Sequence, residues 1–295
     1  MTVIVQTRSL GEKVFDSFNV ILMVFLSIVT IYPLYYVLMA SFSNPEYVMA
    51  STGLMLYPQD VDFTSYKLIL QYPLLFKSYG NTIIYTVVGT AINIGMTILG
   101  GYGLSRKNVP GTTLVMMMIT FTMFFSGGLI PRYLLVQSLG LIDTMWAVLL
   151  PTAITTTNLI IMRTSFGSIP DSMEEAAKID GANDFQILFK IMLPMAMATV
   201  AVLVLFYAVG HWNEFFNPMI YFKSREKYPL QVILREILIT DSTDNLTTDM
   251  EGDKSMISQV IKYSTIIVST LPILVVYPFL QRYFTKGVMI GAIKG

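Results

Sequence analysis

The chain has 295 residues, of which 54% are hydrophobic and only 13% are charged, whereas soluble domains carry roughly 25% charged residues. This composition predicts a protein that resides in a lipid bilayer. The 19 basic and 19 acidic residues give a net charge of zero, which provides no basic field to attract nucleic acid. Because the chain contains no cysteine, disulfides, thiolate nucleophiles and cysteine-rich metal sites are excluded.

Long apolar stretches recur along the chain and predict about six membrane-spanning helices, because a helix needs about 20 residues to cross the hydrocarbon core. The predicted fold is therefore all-α, a six-span bundle. The predicted spans cover about residues 18–40, 81–104, 112–125, 144–162, 191–207 and 260–280. Membrane β-strands are not indicated, since they would read as alternating segments of about 10 residues.

Two shorter features complete the membrane-related pattern. Arg8 and Lys13 precede the first apolar stretch as they would in a signal peptide, but the run 14–40 is too long for one, so we predict a retained span. The segment 131–141 is too short to span the bilayer and carries Arg132. It is therefore predicted to be a helix at the membrane interface.

Basic residues predict which loops face the cytoplasm, since Lys and Arg accumulate on that side. Those that flank the predicted spans on one face are Arg8, Lys13, Arg106, Lys107, Arg163, Arg282, Lys286 and Lys294. This face is predicted to be cytoplasmic and to hold both termini, which leaves loops 41–77 and 221–257 outside. We expect a single transmembrane domain over residues 1–295.

The segment 167–194 is a polar insertion between the fourth and fifth predicted spans. Pro170 suits a first helical turn, and the acidic residues that follow complement the helix dipole. Gly181 predicts a left-handed stop, and Asn183 with Gln186 predicts a capping box at the start of a second helix. This local chemistry leaves two possibilities open, a passive linker on the membrane surface and a docking surface for a partner.

The spacing of Glu175-Ala176-Ala177, Gly181, Ile191 and Leu193-Pro194 resembles the EAA loop of permease subunits in binding-protein-dependent ABC importers. This resemblance implies the type I ABC importer permease fold, with 167–194 as the loop that docks on a cytoplasmic ATPase and couples ATP hydrolysis to transport. The coupling residues it implies are Glu174, Glu175, Ala176, Ala177, Asp180, Gly181, Ile191, Leu193 and Pro194.

The resemblance extends over nearly the whole chain and is closest to the maltose-permease-like, carbohydrate-uptake branch. The stretches that carry it are 32–43, 211–218, 228–231 and 286–295. It implies a subunit of a bacterial plasma membrane complex that contains a second, different permease, two ATPase subunits and an extracytoplasmic solute-binding protein. The implied cargo is an oligosaccharide, with alginate and other acidic oligosaccharides among the candidates. ATP and Mg²⁺ would bind to the ATPase subunits, so we expect no cofactor, metal or catalytic site on this chain.

Several polar residues inside the predicted spans are spaced so that they share a helix face: Asn81 with Tyr85, Asn93 with Thr97, and Thr155 with Asn158. We predict hydrogen bonds between helices for these pairs. Gly100, Gly101 and Gly103 lack the lysine of a phosphate loop and predict close helix packing instead.

A polar and aromatic cluster follows the fifth span and is the candidate for the cargo path. Its members are His211, Trp212, Asn213, Glu214 and Asn217. Aromatic faces and hydrogen-bonding groups suit a sugar path, but aromatic residues also anchor spans at the membrane interface, and both interpretations stay open.

The competing functions are a self-sufficient secondary carrier and an intramembrane enzyme. The carrier would need ion-coupling carboxylates near the bilayer middle and inverted repeats, and neither is evident in the sequence. The enzyme would need a catalytic constellation inside the spans, and none is evident.

Overall fold

The computed structural model describes residues 9–50, 53–239, 259–272 and 274–275. Within these ranges the regular structure is helical, apart from an isolated β-bridge between Ser43 and Val61, which confirms the predicted all-α class. The helices are α1 (Leu10–Ser41), α2 (Pro45–Ala50), α3 (Thr64–Leu70), α4 (Pro73–Ser105), α5 (Thr112–Phe121), α6 (Leu129–Ser138), α7 (Trp146–Leu149), α8 (Thr156–Gly167), α9 (Asp171–Ile179), α10 (Asp184–Ile187), α11 (Leu193–Met195), α12 (Met197–Trp212), α13 (Phe216–Tyr221), α14 (Leu230–Ile239) and α15 (259–272).

The contacts divide the chain into two compact units. The first is drawn from residues 1–72 and 237–270 and is built on α1. Ser9 begins α1 with a capping box, in which Glu12 N donates to Ser9 Oγ over 3.2 Å and Ser9 N donates to Glu12 Oε2 over 2.8 Å. From residue 17 onward the helix carries no charged side chain, and no side chain from residue 10 to residue 35 is buried. Its far end packs into a small core with residues of α2, the following loop and α15, namely Ala40, Val48, Met55 and Val260.

The second unit, drawn from residues 73–236 and 271–295, is organised around α4. This helix packs against α8 and α12, and its core includes Ile98, Tyr102, Met162, Phe166 and Leu203. Two of the three glycines confirm the predicted close packing: a Cβ on Gly101 would lie 2.9 Å from Met162 Cγ, and one on Gly100 would lie 3.1 Å from Leu159 Cδ1, whereas one on Gly103 would meet nothing within 4 Å.

The described helices differ from the predicted spans in three places. The predicted fourth span is wrong as a continuous helix: α7 gives way to a 3-10 turn at Leu150–Thr152, and α8 begins only at Thr156. Pro151 is the physical reason, because proline lacks the amide hydrogen that the helix requires. The third span is represented by the 10 residues of α5. The fifth contains an 84° bend between Asp184–Met195 and Met197–Trp212.

Two continuous helices, α1 and α4, are long and apolar enough to cross a membrane among the described residues, and the bent pair is a third candidate. The sixth predicted span is described only as far as α15 and residues 274–275, so its end and the C-terminal tail lie outside the described residues. The count of six spans therefore remains a prediction. The short interfacial helix predicted at 131–141 corresponds to α6, Leu129–Ser138.

Candidate functional site

The segment 167–194, which we call the coupling segment after the role that its resemblance predicts, is two helices joined by a sharp reversal. Pro170 lies one position before α9, as its N-cap, rather than inside the first turn as predicted. Gly181 has a φ of 81° and confirms the predicted left-handed stop. Ala182 N donates to Ala177 O and Gly181 N donates to Lys178 O, each over 3.0 Å, which is the Schellman pattern of helix ends.

The second helix begins with the predicted capping box. Gln186 N donates to Asn183 Oδ1 over 2.9 Å, and Asn183 N donates to Gln186 Oε1 over 3.0 Å. Residues Leu188–Met192 then widen into a π-helical turn, and the chain bends at Ala196 into α12. Ile191 and Leu193 pack against the core of the second unit, whereas Pro194 is exposed. The coupling segment is therefore continuous with the start of the long apolar helix α12.

One face of α9 contacts the rest of the chain through ion pairs and apolar packing. Glu174 forms ion pairs with Arg106 at the end of α4 and, over 2.7 Å, with Lys178. The side chains of Arg106 and Glu174 are each only 14% exposed, and the Arg106 guanidinium lies over the Tyr102 ring at 4.8 Å. Glu174 is thus occupied within the chain, which leaves Glu175 as the neighbouring carboxylate that faces solvent.

Ala177 lies on the same inward side of α9 and is only 6% exposed. It belongs to the core that contains Phe166, Ile187 and Met192. The resemblance counts Ala177 among the coupling residues, but in this structure its small side chain allows α9 to pack on its own unit. Ala176, one residue earlier, is exposed.

A second ion pair holds the start of α9. Lys107 Nζ donates to Asp171 Oδ2 over 2.7 Å, and this hydrogen bond, with the charges of Lys107 and Arg106, lowers the pKa of Asp171. Both side chains are well exposed, so this pair adds little to stability. It does keep the first turn of α9 beside the short basic loop that follows α4.

The opposite side of the coupling segment is apolar and exposed, and we call it the exposed face. The exposed fraction of the Ile179 side chain reaches 86%. The exposed face consists of Met173, Ala176, Ile179, Phe185 and Phe189, with Glu175 and Asp180 beside it. Apolar side chains left uncovered by their own chain are typical of an interaction surface.

One predicted pair inside the spans, Asn93 with Thr97, forms the predicted hydrogen bonds between helices. Thr97 of α4 and Tyr207 of α12 are bonded through their hydroxyls over 2.8 Å, and His211 Nε2 bonds Asn93 Oδ1. Asn93 Nδ2 also donates to the carbonyl oxygen of Thr152 over 2.6 Å. We call Asn93, Thr97, Tyr207 and His211 the polar clamp.

The polar clamp supplies hydrogen-bond partners to backbone groups in the break between α7 and α8. Besides Asn93 at Thr152, the backbone N of Thr155 donates to the Tyr207 hydroxyl over 3.3 Å. Free backbone groups are expensive at membrane depth unless protein or water satisfies them. Asn93 of α4 and Tyr207 of α12 therefore stabilise a break that the apolar pattern of residues 144–162 did not predict, and His211 and Thr97 bond these two side chains in turn.

For Asn81 and Tyr85 the prediction of hydrogen bonds to another membrane helix is wrong, because they bind the short 3-10 turn Arg225–Lys227 and the residue that follows it. Asn81 Nδ2 donates to the carbonyl oxygens of Glu226 and Tyr228, and the Tyr85 hydroxyl donates to that of Lys227. Asn158 is buried, as expected for a residue inside a span.

Asp143 was missed by sequence reasoning. Its φ is 61°, and its carboxylate accepts hydrogen bonds from the Lys227 ammonium over 2.7 Å and from the backbone N of Lys223 and Ser224. The hydrogen bond from Lys227 is the largest cause of a pKa far below the usual range for Asp143. An acidic residue at the start of an apolar stretch is the signal that could have identified it.

The candidate cargo cluster is divided by the structure. His211 belongs to the polar clamp, and a Cβ on Gly89 would lie only 2.5 Å from its Nε2. Glu214 Oε1 accepts from Asn217 N over 3.1 Å at the start of α13, and the Trp212 side chain is partly buried. Asn213 is exposed, although its Nδ2 donates to Val209 O over 2.9 Å. Among the five, Asn213 is therefore the one most open to a ligand.

Comparisons with known proteins agree with this architecture. Residues 79–290 match the family described as "Binding-protein-dependent transport system inner membrane component". The chain is 40% identical over 291 residues to the polygalacturonan/rhamnogalacturonan transport system permease protein YtcP of Bacillus subtilis (strain 168), covering 96% of this chain and 99% of that protein.

Solved structures show the same likeness. A chain of a bacterial ABC transporter involved in the import of the acidic polysaccharide alginate is 34% identical, with a TM-score of 0.85 over 94% of this chain and 99% of that one. A chain of a bacterial alginate ABC transporter, in complex with an alginate pentasaccharide-bound periplasmic protein, shares the fold at 15% identity and a TM-score of 0.61, covering 92% of this chain and 96% of that one. The chain thus belongs to the family of inner membrane components of binding-protein-dependent transport systems.

Proposed function

We propose that the chain is a permease subunit of an ATP-driven importer and supplies half of the membrane pathway for an acidic oligosaccharide. The observation that carries this proposal is the likeness, over nearly the full length of both chains, to a polygalacturonan/rhamnogalacturonan permease and to an alginate transporter. Both names denote transporters of polymers that contain uronic acids. A fragment with several carboxylates is therefore the cargo that these relatives favour.

The proposed complex contains a second, different permease, two ATPase subunits and an extracytoplasmic solute-binding protein. The binding protein is supported by the family description and by the periplasmic protein in the alginate transporter complex. ATP and Mg²⁺ would bind to the ATPase subunits, so this chain would take part in transport without catalysing a reaction. Its proposed location is the bacterial plasma membrane, with multiple spans and both termini in the cytoplasm.

The geometry of α9 supports a coupling mechanism with two sides. We assign the docking contact with the ATPase to the exposed face, with Glu175 available for a basic partner. On the inward side, Glu174 contacts Arg106, which directly follows α4, and Ala177 packs in the core around Phe166 of α8. Because protein interiors are densely packed, a displacement of α9 would be passed to α4, α8 and α12.

For the cargo path we retain the cluster at the end of α12 as a proposal, centred on Asn213. The rings of Phe215 and Phe216 are also exposed and meet edge to face, with their centroids 6.4 Å apart. An amide beside aromatic faces can both hydrogen-bond a sugar and stack on it. Asn213→Ala should therefore lower uptake more than it lowers the basal ATP hydrolysis of the assembled complex, while equal loss of both activities would favour a structural role.

Reconstitution of the complete complex in lipid vesicles tests the proposed function. Uptake of oligogalacturonate should require both the binding protein and ATP, and neutral oligosaccharides of equal length should compete poorly. Uptake by this chain without an ATPase, driven by an ion gradient, would support the alternative of a self-sufficient secondary carrier. Preference for a neutral oligosaccharide would overturn the acidic cargo and leave the importer assignment in place.

A further inference from the structure

A loop in the first unit folds back along α1 instead of extending away from the helix end. The Tyr35 hydroxyl donates to Leu56 O over 2.5 Å, and Met55 N donates to the Tyr32 hydroxyl over 3.2 Å. Tyr35 and Tyr32 precede Ser41, the last residue of α1, by six and nine positions. At 1.5 Å per residue, the loop is held about 9 to 14 Å back from the end of α1.

The same loop then returns to the end of the helix. Gln59 N donates to Ser43 Oγ over 3.0 Å, and Asn44 N donates to Gln59 O over 3.0 Å. Residues 53–58 thus run back beside α1 as far as Tyr32 and Tyr35, and the chain then returns to the end of the helix. We call this stretch the returning loop.

The returning loop is apolar where it is exposed. The exposed fractions are 75% for Leu54, 61% for Leu56 and 65% for Tyr57, whereas Met55 between them is buried against α1. The sequence from Tyr47 to Gln59 carries no charge. These side chains therefore have no cover from the described residues of their unit, and they lack the polarity of a solvated loop.

From these observations we propose that Leu54, Leu56 and Tyr57 insert into the lipid interface of the membrane and anchor this end of α1. The choice of lipid is supported by α1, which is exposed and is long and apolar enough to cross a membrane. The returning loop is hydrogen-bonded to this helix and continues its apolar surface. Backbone groups in a poorly hydrated zone need partners, and the two tyrosine hydroxyls supply them at Met55 and Leu56. Tyrosine is also enriched at membrane–water interfaces.

The absence of cysteine in the chain allows a direct test by single-cysteine spin labelling. The variants Leu54→Cys and Leu56→Cys, in the complete complex with cysteine-free partner subunits in lipid vesicles, would be compared with Val24→Cys in the apolar part of α1 and Lys67→Cys on α3. We expect labels at 54 and 56 to behave like the label at 24, with high accessibility to oxygen and low accessibility to a water-soluble nickel chelate.

Each other result overturns the proposal. Accessibility to the nickel chelate equal to that at position 67 would place the loop in water. Low accessibility to both reagents would show that a protein partner covers it. As a second arm, Tyr35→Phe should release the loop and raise nickel accessibility at 56, while the exposed control Tyr47→Phe should leave it unchanged. No change with Tyr35→Phe would refute the role of the tyrosine in holding the loop at this depth.

Discussion

The coupling segment and the polar clamp differ in how far apart their partners lie in the sequence. The reversal at Gly181 and the capping box at Asn183 are closed by residues three to five positions away. His211 and Asn93, by contrast, are separated by 118 residues, and Thr97 and Tyr207 by 110. Local hydrogen bonding shapes the first region, and the packing of α4 on α12 creates the second. The two regions therefore respond differently to substitution.

The largest effect is expected at the ion pair between Glu174 of the coupling segment and Arg106, which directly follows α4. Glu174→Ala leaves the Arg106 guanidinium largely buried without its main partner, and the loss for a buried pair is about 3 kcal/mol or more. We expect ATP-dependent uptake to fall at least about tenfold, because α9 would lose its attachment to the end of α4. Vesicle uptake and ATP hydrolysis, measured on the same preparation, check this prediction.

The control for this prediction is the exchanged pair, Arg106→Glu with Glu174→Arg. Because the two side chains have mutual contact and similar exposure, the exchange should restore part of the uptake that each single variant loses. If Glu174→Ala kept normal uptake, the attachment of α9 through this pair would be disproved.

A smaller effect is expected where α4 meets α12. A Cβ on Gly89 would lie 2.5 Å from His211 Nε2, so Gly89→Ala must displace the ring and disturb its bond to Asn93. Overpacking of this kind costs about 1–3 kcal/mol. We expect a lower midpoint of thermal unfolding for the purified complex, monitored by size-exclusion chromatography after heating.

Gly95→Ala is the matched control, since it lies in the same helix and its added Cβ would meet nothing within 4 Å. That substitution should leave the midpoint unchanged or raise it slightly, because alanine is the better helix former by up to about 1 kcal/mol. Equal midpoints for the two variants would contradict the close contact between Gly89 and His211.

The smallest effect on stability is expected at Gly181. Its φ of 81° is unfavourable for a residue with a side chain, and Gly181→Val should strain the turn by about 1 kcal/mol or more. Membrane insertion should be normal because no span is altered, whereas the ratio of sugar transported to ATP hydrolysed should fall. Gly80→Val, a glycine in α4 with open space around it, controls for the volume and branching of valine. A normal ratio in the Gly181 variant would refute the importance of the reversal.

The same comparison explains what could be predicted from the sequence. The reversal at Gly181 and the capping box of Asn183 with Gln186 depend on neighbouring residues, so their residue types were sufficient to predict them. The inward position of Ala177 and the pairing of Glu174 with Arg106 depend on which side of α9 meets α4, and spacing alone does not fix this. The resemblance of 167–194 to a coupling loop does not distinguish its inward side from its exposed face, and its coupling role stays a prediction.

The break between α7 and α8 was missed for a related reason. Apolar side chains dominate residues 144–162, so the average hydrophobicity of the stretch predicts one continuous span and hides the break. Pro151 followed by Thr152, Thr155 and Thr156 is the local signal of a break. The polar clamp, which hydrogen-bonds the backbone at this break, comes from α4 and α12. No local sequence pattern could have predicted it.

The central claim, that α9 has an exposed side for the ATPase and an inward side for its own unit, is tested most directly by cysteine crosslinking at two adjacent residues. In this cysteine-free chain, Ala176→Cys and Ala177→Cys differ by one position, and Ala176 is exposed whereas Ala177 is buried. In the assembled complex, with single cysteines placed in the ATPase subunit, the account predicts a crosslink from position 176 and none from position 177. A crosslink from 177 with none from 176 would contradict it.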